Sequence, residues 1–145
     1  LARRRRCVQS RGAGATMRPV SRSAAAASTL TAVFAVLCVT SAALQYNDPD
    51  PIRWAALYLA AGGAAVAALA RPHLWWTALT VALGAAAWAA LLWTGVVSSV
   101  EVSDLWRKMS EKGGKVEEMR EAGGLSLVFL GCGLAALRAR RYARG

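Results

Sequence analysis

The sequence predicts an all-α protein: a four-helix transmembrane bundle with a short amphipathic surface helix between helices 3 and 4. Two observations predict this fold. Of the 145 residues, 56% are hydrophobic, and the 18% that are charged gather between and beyond four long apolar runs. Long runs without charge are typical of membrane-spanning helices. One membrane domain, residues 28–145, is predicted, with spans at about residues 28–45, 51–70, 74–97 and 119–137.

The N-terminal residues 1–27 are rich in arginine, serine and alanine and contain no acid. They predict a disordered basic tail that fixes the topology of the first span. Two alternatives stay open: residues 1–16, which precede Met17, are upstream sequence, or the tail is a targeting peptide, because such peptides are arginine-rich and acid-poor. The first uncharged run, residues 24–44, also resembles a signal peptide. It is longer than the usual apolar region of about 7–15 residues, so we expect it to stay attached.

Residues 45–58, QYNDPDPIRWAALY, predict the hairpin turn between helices 1 and 2, on the membrane face opposite the basic tail. Asp48 precedes Pro49, and a residue before proline is driven out of helical geometry. Asp50 precedes Pro51, and an aspartate N-cap followed by proline at the first helical position is a strong helix start. We therefore expect the Asp50 carboxylate to cap helix 2.

Aromatic residues mark the faces of two helices. Trp54 and Tyr58 are four positions apart, which predicts that they share one face of helix 2. Trp54 lies within one turn of the predicted interface, where amphipathic rings anchor to the membrane surface. Trp88 lies deeper in the third apolar run, so we expect it to pack against another helix.

The polar segment after the third run predicts the surface helix. Ser98 and Glu101 have capping-box spacing, which indicates a helix start. An apolar face follows at positions i, i+3, i+4 and i+7, formed by Val102, Leu105, Trp106 and Met109. A short amphipathic helix of this kind is expected to lie on the membrane surface.

The fourth uncharged run is the shortest of the four. This run, residues 122–137, would reach only about 24 Å as a helix, less than the roughly 30 Å hydrocarbon core. A helical pattern already begins near Lys115. We therefore expect the span itself to start near Met119.

The distribution of basic residues predicts orientation and partners. The net charge of +10 is carried by arginines near the two ends, and these fall on the same side of a four-span bundle as Arg71. The positive-inside rule then places both termini in the cytoplasm; an organelle membrane is the alternative if the tail is a presequence. Because the basic stretches flank apolar runs, the expected partner is the lipid bilayer with its anionic head groups. Binding to nucleic acid is not expected.

Signals for catalysis are missing from the sequence. Cys7, Cys38 and Cys132 lie far apart without metal-ligand spacing, and His73 is a lone histidine in a short turn. There is no nucleophile-elbow or metalloprotease motif. The apolar runs carry no charge, which argues against a pump, because pumps place ionisable groups within their spans. We expect no catalytic residue, no metal and no cofactor.

Two short motifs carry a family resemblance. The first comprises Gln45, Asn47, Asp48, Pro49 and Asp50, followed by Trp54 and Tyr58. The second comprises Glu117, Glu118, Arg120, Glu121, Gly124 and Leu125. Together with Trp88 they resemble the transmembrane protein 220 family of small multi-span proteins, over about residues 30–137. The resemblance implies a membrane fold and indicates no reaction.

A four-span topology places both motifs on one membrane face. The acids expected within reach of one another there are Asp48, Asp50, Glu117, Glu118 and Glu121. Such a cluster suits a hard divalent cation or an acid–base pair. The alternative is structural: Asp50 caps a helix, Asp48 makes a turn, and the glutamates form a solvated face near a positive helix N-terminus. We also predict that Arg120 pairs with Asp48 or Asp50 and links the hairpin to helix 4.

These features predict a non-catalytic integral membrane protein, a scaffold or accessory subunit that packs its helices against another membrane protein or a second copy. Glycines among many alanines, such as Gly62 and Gly131, favour close helix contact. Two alternatives stay open. One is a membrane enzyme or divalent-cation-binding protein that uses the outer-face carboxylates. The other is a passive small-solute channel or carrier, which requires a continuous polar lining between the helices.

Overall fold

A computed structural model shows an all-α protein. It describes residues 22–48, 50–99, 101–106 and 114–144. The four long helices are α1 (Arg22–Leu44), α2 (Pro51–Ala70), α3 (Trp75–Val96) and α4 (Lys115–Ala143). All four are long and apolar enough to cross a membrane. The predicted fold class is therefore confirmed. Residues 1–21 of the predicted tail lie outside the described part of the chain.

Two helices extend further than their uncharged runs. α1 begins at Arg22, inside the predicted tail, because the alanines that follow are the strongest helix formers. α4 has 29 residues and is therefore about 43 Å long. It begins after Gly114, whose φ of +85° is a left-handed conformation that glycine adopts at little cost. The charged turns at both ends of α4 extend the helix beyond its uncharged run.

The helices alternate in direction. α2 and α4 each contact all three other long helices, whereas α1 does not contact α3 within the described residues. Two polar contacts mark opposite ends of the bundle. Arg53 on α2 faces Glu121 on α4 at one end, and Arg138 on α4 donates from Nε to Ser28 Oγ on α1, at 2.8 Å, at the other. These pairs show that α2 and α4 run in the same direction and that α1 runs opposite to α4.

Alanine fills most of the interior. The buried alanines of α2, α3 and α4 include Ala61, Ala65, Ala68, Ala78, Ala82, Ala85, Ala122, Ala135 and Ala139. Small side chains let helix backbones approach closely. At Gly62, for example, an added Cβ would lie 3.2 Å from Cys38 Cβ. Thr31 and Asp104 are the buried polar side chains among the described residues.

The connection between α3 and α4 differs from the predicted amphipathic helix in its described part. It contains a five-residue 3-10 helix, Val102–Trp106, which begins four residues beyond the expected cap at Ser98. Asp104 is buried and accepts the Glu101 N–H at 2.8 Å, while Trp106, expected on the apolar face, is 91% exposed. The Asp104 carboxylate therefore closes a tight local turn with the backbone of Glu101. Residues 107–113, which complete the predicted helix, lie outside the described residues.

Candidate binding site

The two sequence motifs meet in one recess at the end of the bundle where α1 joins α2. The recess is open to the outside and has a volume of about 140 Å³. The hairpin, α2 and α4 each contribute to its lining, which consists of Gln45, Asp48, Trp54, Tyr58, Glu117, Arg120 and Glu121. We call it the motif recess. Both motifs therefore lie at the same end of the helix bundle, and the membrane face that this end occupies stays a prediction.

Backbone contacts in the hairpin fix the position of Asp48. Its Oδ1 accepts the Asp50 N–H at 3.0 Å, and its own N–H donates to the Gln45 carbonyl at 2.9 Å. Gln45 in turn donates from Nε2 to the carbonyl of Ser41, at 3.0 Å. An aspartate that accepts the N–H two residues ahead is a common turn-forming arrangement. The turn therefore holds the Asp48 carboxylate at the edge of the recess.

The expected capping role of Asp50 is wrong. Asp50 occupies the N-cap position of α2, with Pro51 next to it, but its side chain makes no capping hydrogen bond. Its Oδ2 instead lies 3.4 Å from Arg53 Nη1, and its side chain is 62% exposed. The exposed carboxylate is drawn to the nearby cation one turn along the helix.

Arg53 joins α2 to two other helices. Its Nη2 lies 3.8 Å from Glu121 Oε1 on α4, and its guanidinium carbon lies 4.7 Å from the centre of the Trp88 ring on α3. Trp88 also stacks on Trp54, with ring centres 5.2 Å apart and planes inclined by 15°. The sequence analysis missed Arg53, because a cation three residues after Asp50 indicates only a local pair.

The aromatic contacts contribute more here than the ion pair. At 3.8 Å, with the Arg53 side chain 48% exposed, the Arg53–Glu121 pair belongs to a class worth about 0–1 kcal/mol. An aromatic pair adds about 0.5–1.5 kcal/mol, and a cation over an indole face adds about 0.5–2 kcal/mol. Trp54 is therefore a core residue, 4% exposed, and its expected role as an interface anchor is wrong because Trp88 covers it. The expectation that Trp88 packs against another helix is confirmed.

The carboxylates expected in one cluster are divided among three places. Glu118 pairs with Lys115, at 2.8 Å, beside Gly95 of α3. Asp50 faces Arg53 outside the recess, and the three acids that line the recess are Asp48, Glu117 and Glu121. In the described part of the chain, no group of three or more acids, histidines or cysteines is arranged to hold a metal ion. Arg120 lines the recess together with Asp48, and their pairing stays a prediction.

An apolar groove runs between α1 and α4. It has a volume of about 450 Å³ and is also open. Almost all of its lining is hydrocarbon or aromatic, and the lining residues are Leu30, Phe34, Leu37, Cys38, Ser41, Tyr58, Gly124, Leu127, Val128, Leu130, Gly131 and Leu134. We call it the α1–α4 groove.

The motif recess and the α1–α4 groove adjoin at Tyr58, which lines both. The transition takes about one helical turn on each wall, from Ser41 on α1 to Gln45 at the start of the hairpin, and from Gly124 to Glu121 on α4. Glycine at position 124 leaves room at this neck, because an added Cβ would lie 3.1 Å from Tyr58 Oη, a tight contact. A polar recess and an apolar groove therefore lie next to each other on the bundle surface and share Tyr58.

The four spans and the terminal recess define a small polytopic integral membrane protein. The chain belongs to transmembrane family 220, whose helix model matches residues 37–137 and so includes both motifs. This match confirms the resemblance drawn from the sequence. Neither a curated protein nor a solved structure matches the chain.

Replacing Arg53 by methionine should lower the melting temperature in detergent by a few degrees, equivalent to about 1–2 kcal/mol, because the cation over Trp88 is lost. Arg71→Met, an exposed arginine at the opposite end, is the control and should melt like the wild type. Combined with Trp88→Leu, the Arg53→Met loss should be less than additive, since the two residues share one contact. When Arg53→Met is combined with Glu121→Gln, the two stability losses should be close to additive. The reverse pattern would mean that the ion pair, and not the ring contact, joins the helices.

Proposed function

We propose that the protein is a non-catalytic membrane protein that binds one amphiphilic molecule, with the polar end in the motif recess and the tail in the α1–α4 groove. The observation that carries this proposal is the junction of the two at Tyr58. Ligand sites are concave and mostly apolar, with a few polar groups that fix orientation. A molecule that changes from polar to apolar over one helical turn matches both walls.

The membrane setting decides which part of the site gives specificity. A tail that moves from the bilayer into the groove leaves one hydrocarbon environment for another, so the groove provides little hydrophobic driving force. Charged and hydrogen-bonding groups gain more, because each is paired in a partly desolvated recess. The groove therefore selects for the presence of a tail, and the recess selects the head group.

A scaffold or accessory role is the second candidate, with another membrane protein or a second copy as partner. The packing of α1 supports this candidate, because α1 contacts α2 and α4 but not the third long helix, α3. Val33, Val36, Leu37 and Val39 on α1 are each at least 50% exposed. A partner helix on this face would lie beside the α1–α4 groove and compete with a tail bound there.

The amphiphile proposal predicts that Gly124→Leu abolishes binding, because the new side chain fills the neck beside Tyr58. The matched control is Gly123→Leu on the same turn, where an added Cβ meets nothing within 4 Å. Native mass spectrometry of protein purified in mild detergent should show one bound amphiphile on the wild type and on the control. Leu127→Trp, which narrows the groove from an exposed position, should also lower occupancy. Equal occupancy in all four proteins would contradict the proposal.

We further propose that both termini face the cytoplasm and that the motif recess opens on the other side. The contact of Arg138 with Ser28 supports a shared side for the two ends, and the arginines beyond Arg138 supply the positive charge. Tyr46→Cys, in a Cys7→Ser background, should react with a membrane-impermeant maleimide on intact cells, and Ala143→Cys should not. Cys38 and Cys132 are buried and should stay unlabelled. If position 143 is labelled and position 46 is not, the proposed orientation is wrong.

A further inference from the structure

We infer that the bound amphiphile is a phospholipid with a primary ammonium head group, of the ethanolamine class. This inference rests on the proposed function. The charge of the recess lining favours this class of lipid. The recess lining holds three carboxylates, Asp48, Glu117 and Glu121, and one guanidinium, Arg120, which gives −3 + 1 = −2. Arg53 offsets part of this charge through Glu121, at 3.8 Å, and still leaves the lining negative. A head group with net negative charge would be repelled.

Hydrogen bonding in the recess distinguishes a primary ammonium from a quaternary one. A quaternary ammonium donates no hydrogen bond and is recognised by open aromatic faces. Trp54 cannot offer such a face, because its ring stacks on Trp88 at 5.2 Å and the residue is 4% exposed. A primary ammonium carries three N–H donors, which the carboxylates of the recess can accept. A choline head group has no N–H to donate to these acceptors, so the recess suits an ethanolamine head group better.

The phosphate of the same head group has a partner in the lining. Arg120 lies on α4 between Glu117 and Glu121, and all three line the recess. A guanidinium has five N–H donors in a planar fork that matches phosphate oxygens. Arg120 can therefore keep its present interaction and still donate to a phosphate. A zwitterionic head group fits a lining that holds both signs of charge, with the acids in excess.

The groove has the length of one acyl chain in one leaflet. Its α1 wall runs from Leu30 to Ser41, which is roughly 16 Å at the helical rise per residue. The hydrocarbon core of a bilayer is about 30 Å thick, so the groove covers about one leaflet. It ends at Tyr58, where the recess begins. A diacyl lipid of the leaflet on the recess side can place its head group in the recess and one chain in the groove.

The test is competition between lipids with identical acyl chains. Purified full-length protein is equilibrated with equal amounts of phosphatidylethanolamine, phosphatidylcholine and phosphatidylglycerol, and the bound lipid is identified by native mass spectrometry. The wild type should retain the ethanolamine lipid roughly ten-fold over each of the others, as the loss of one charge-assisted hydrogen bond implies. Equal retention of the three lipids by the wild type would overturn the inference without any variant.

Two neighbouring glutamates provide a matched pair of variants. Glu117→Gln removes a carboxylate from the recess lining, whereas Glu118→Gln removes one that pairs with Lys115 elsewhere. Glu117→Gln should lose most of the ten-fold preference, and Glu118→Gln should keep it. Asp48→Asn is the second recess variant; it retains the side-chain oxygen that accepts the Asp50 N–H, so the turn is preserved.

The outcomes separate the two proposals. If Gly124→Leu removes all three lipids and Glu117→Gln leaves the preference unchanged, the amphiphile site stands and the head-group inference fails. If Gly124→Leu still binds one lipid, the proposed function fails. A preference lost equally in Glu117→Gln and Glu118→Gln would reflect general surface charge and would also overturn the inference.

Discussion

The contact of Arg53 with the stacked Trp54 and Trp88 rings is the constraint on which the recess depends. Most of the bundle is held by alanine faces, which allow close approach but offer few bulky side chains to resist sliding of one helix along another. Large side chains fix the axial register instead. At this end they are the two tryptophans and Arg53, which connect α2 to α3 and α4. Since the hairpin and α4 both form walls of the recess, a shift of α2 along α4 would separate these walls.

The sequence predicted the parts of the structure that local chemistry determines. Four uncharged runs are sufficient for four helices, and successive membrane crossings alternate in direction, which brings the two motifs to one end. Contacts between distant residues were not predictable in the same way. Arg53 and Trp88 are 35 positions apart, and no local periodicity indicates that their side chains meet. The error at Asp50 has a similar origin: N-cap preference is a local tendency, and the cation at Arg53 competes with it.

The site unites residues that the sequence offered for different roles. Glu117, Arg120, Glu121 and Gly124 belong to the second motif, which the sequence offered as part of a family resemblance. In the bundle these residues form the α4 wall of a polar recess and of the neck below it. The requirement at Gly124 becomes visible only when Tyr58 is placed against it, with its hydroxyl 3.1 Å from the position of an added Cβ. A glycine in the middle of a membrane helix then has a specific reason: it leaves the neck between recess and groove open.

The most direct measurement is an experimental structure of the protein in nanodiscs made with an ethanolamine phospholipid. The account predicts one continuous density that starts in the recess beside Glu117 and Arg120, passes Tyr58 and continues along the α1–α4 groove. Density confined to the groove, with the head group outside the recess, would contradict it. So would a recess that is filled by its own side chains and leaves no room for a head group.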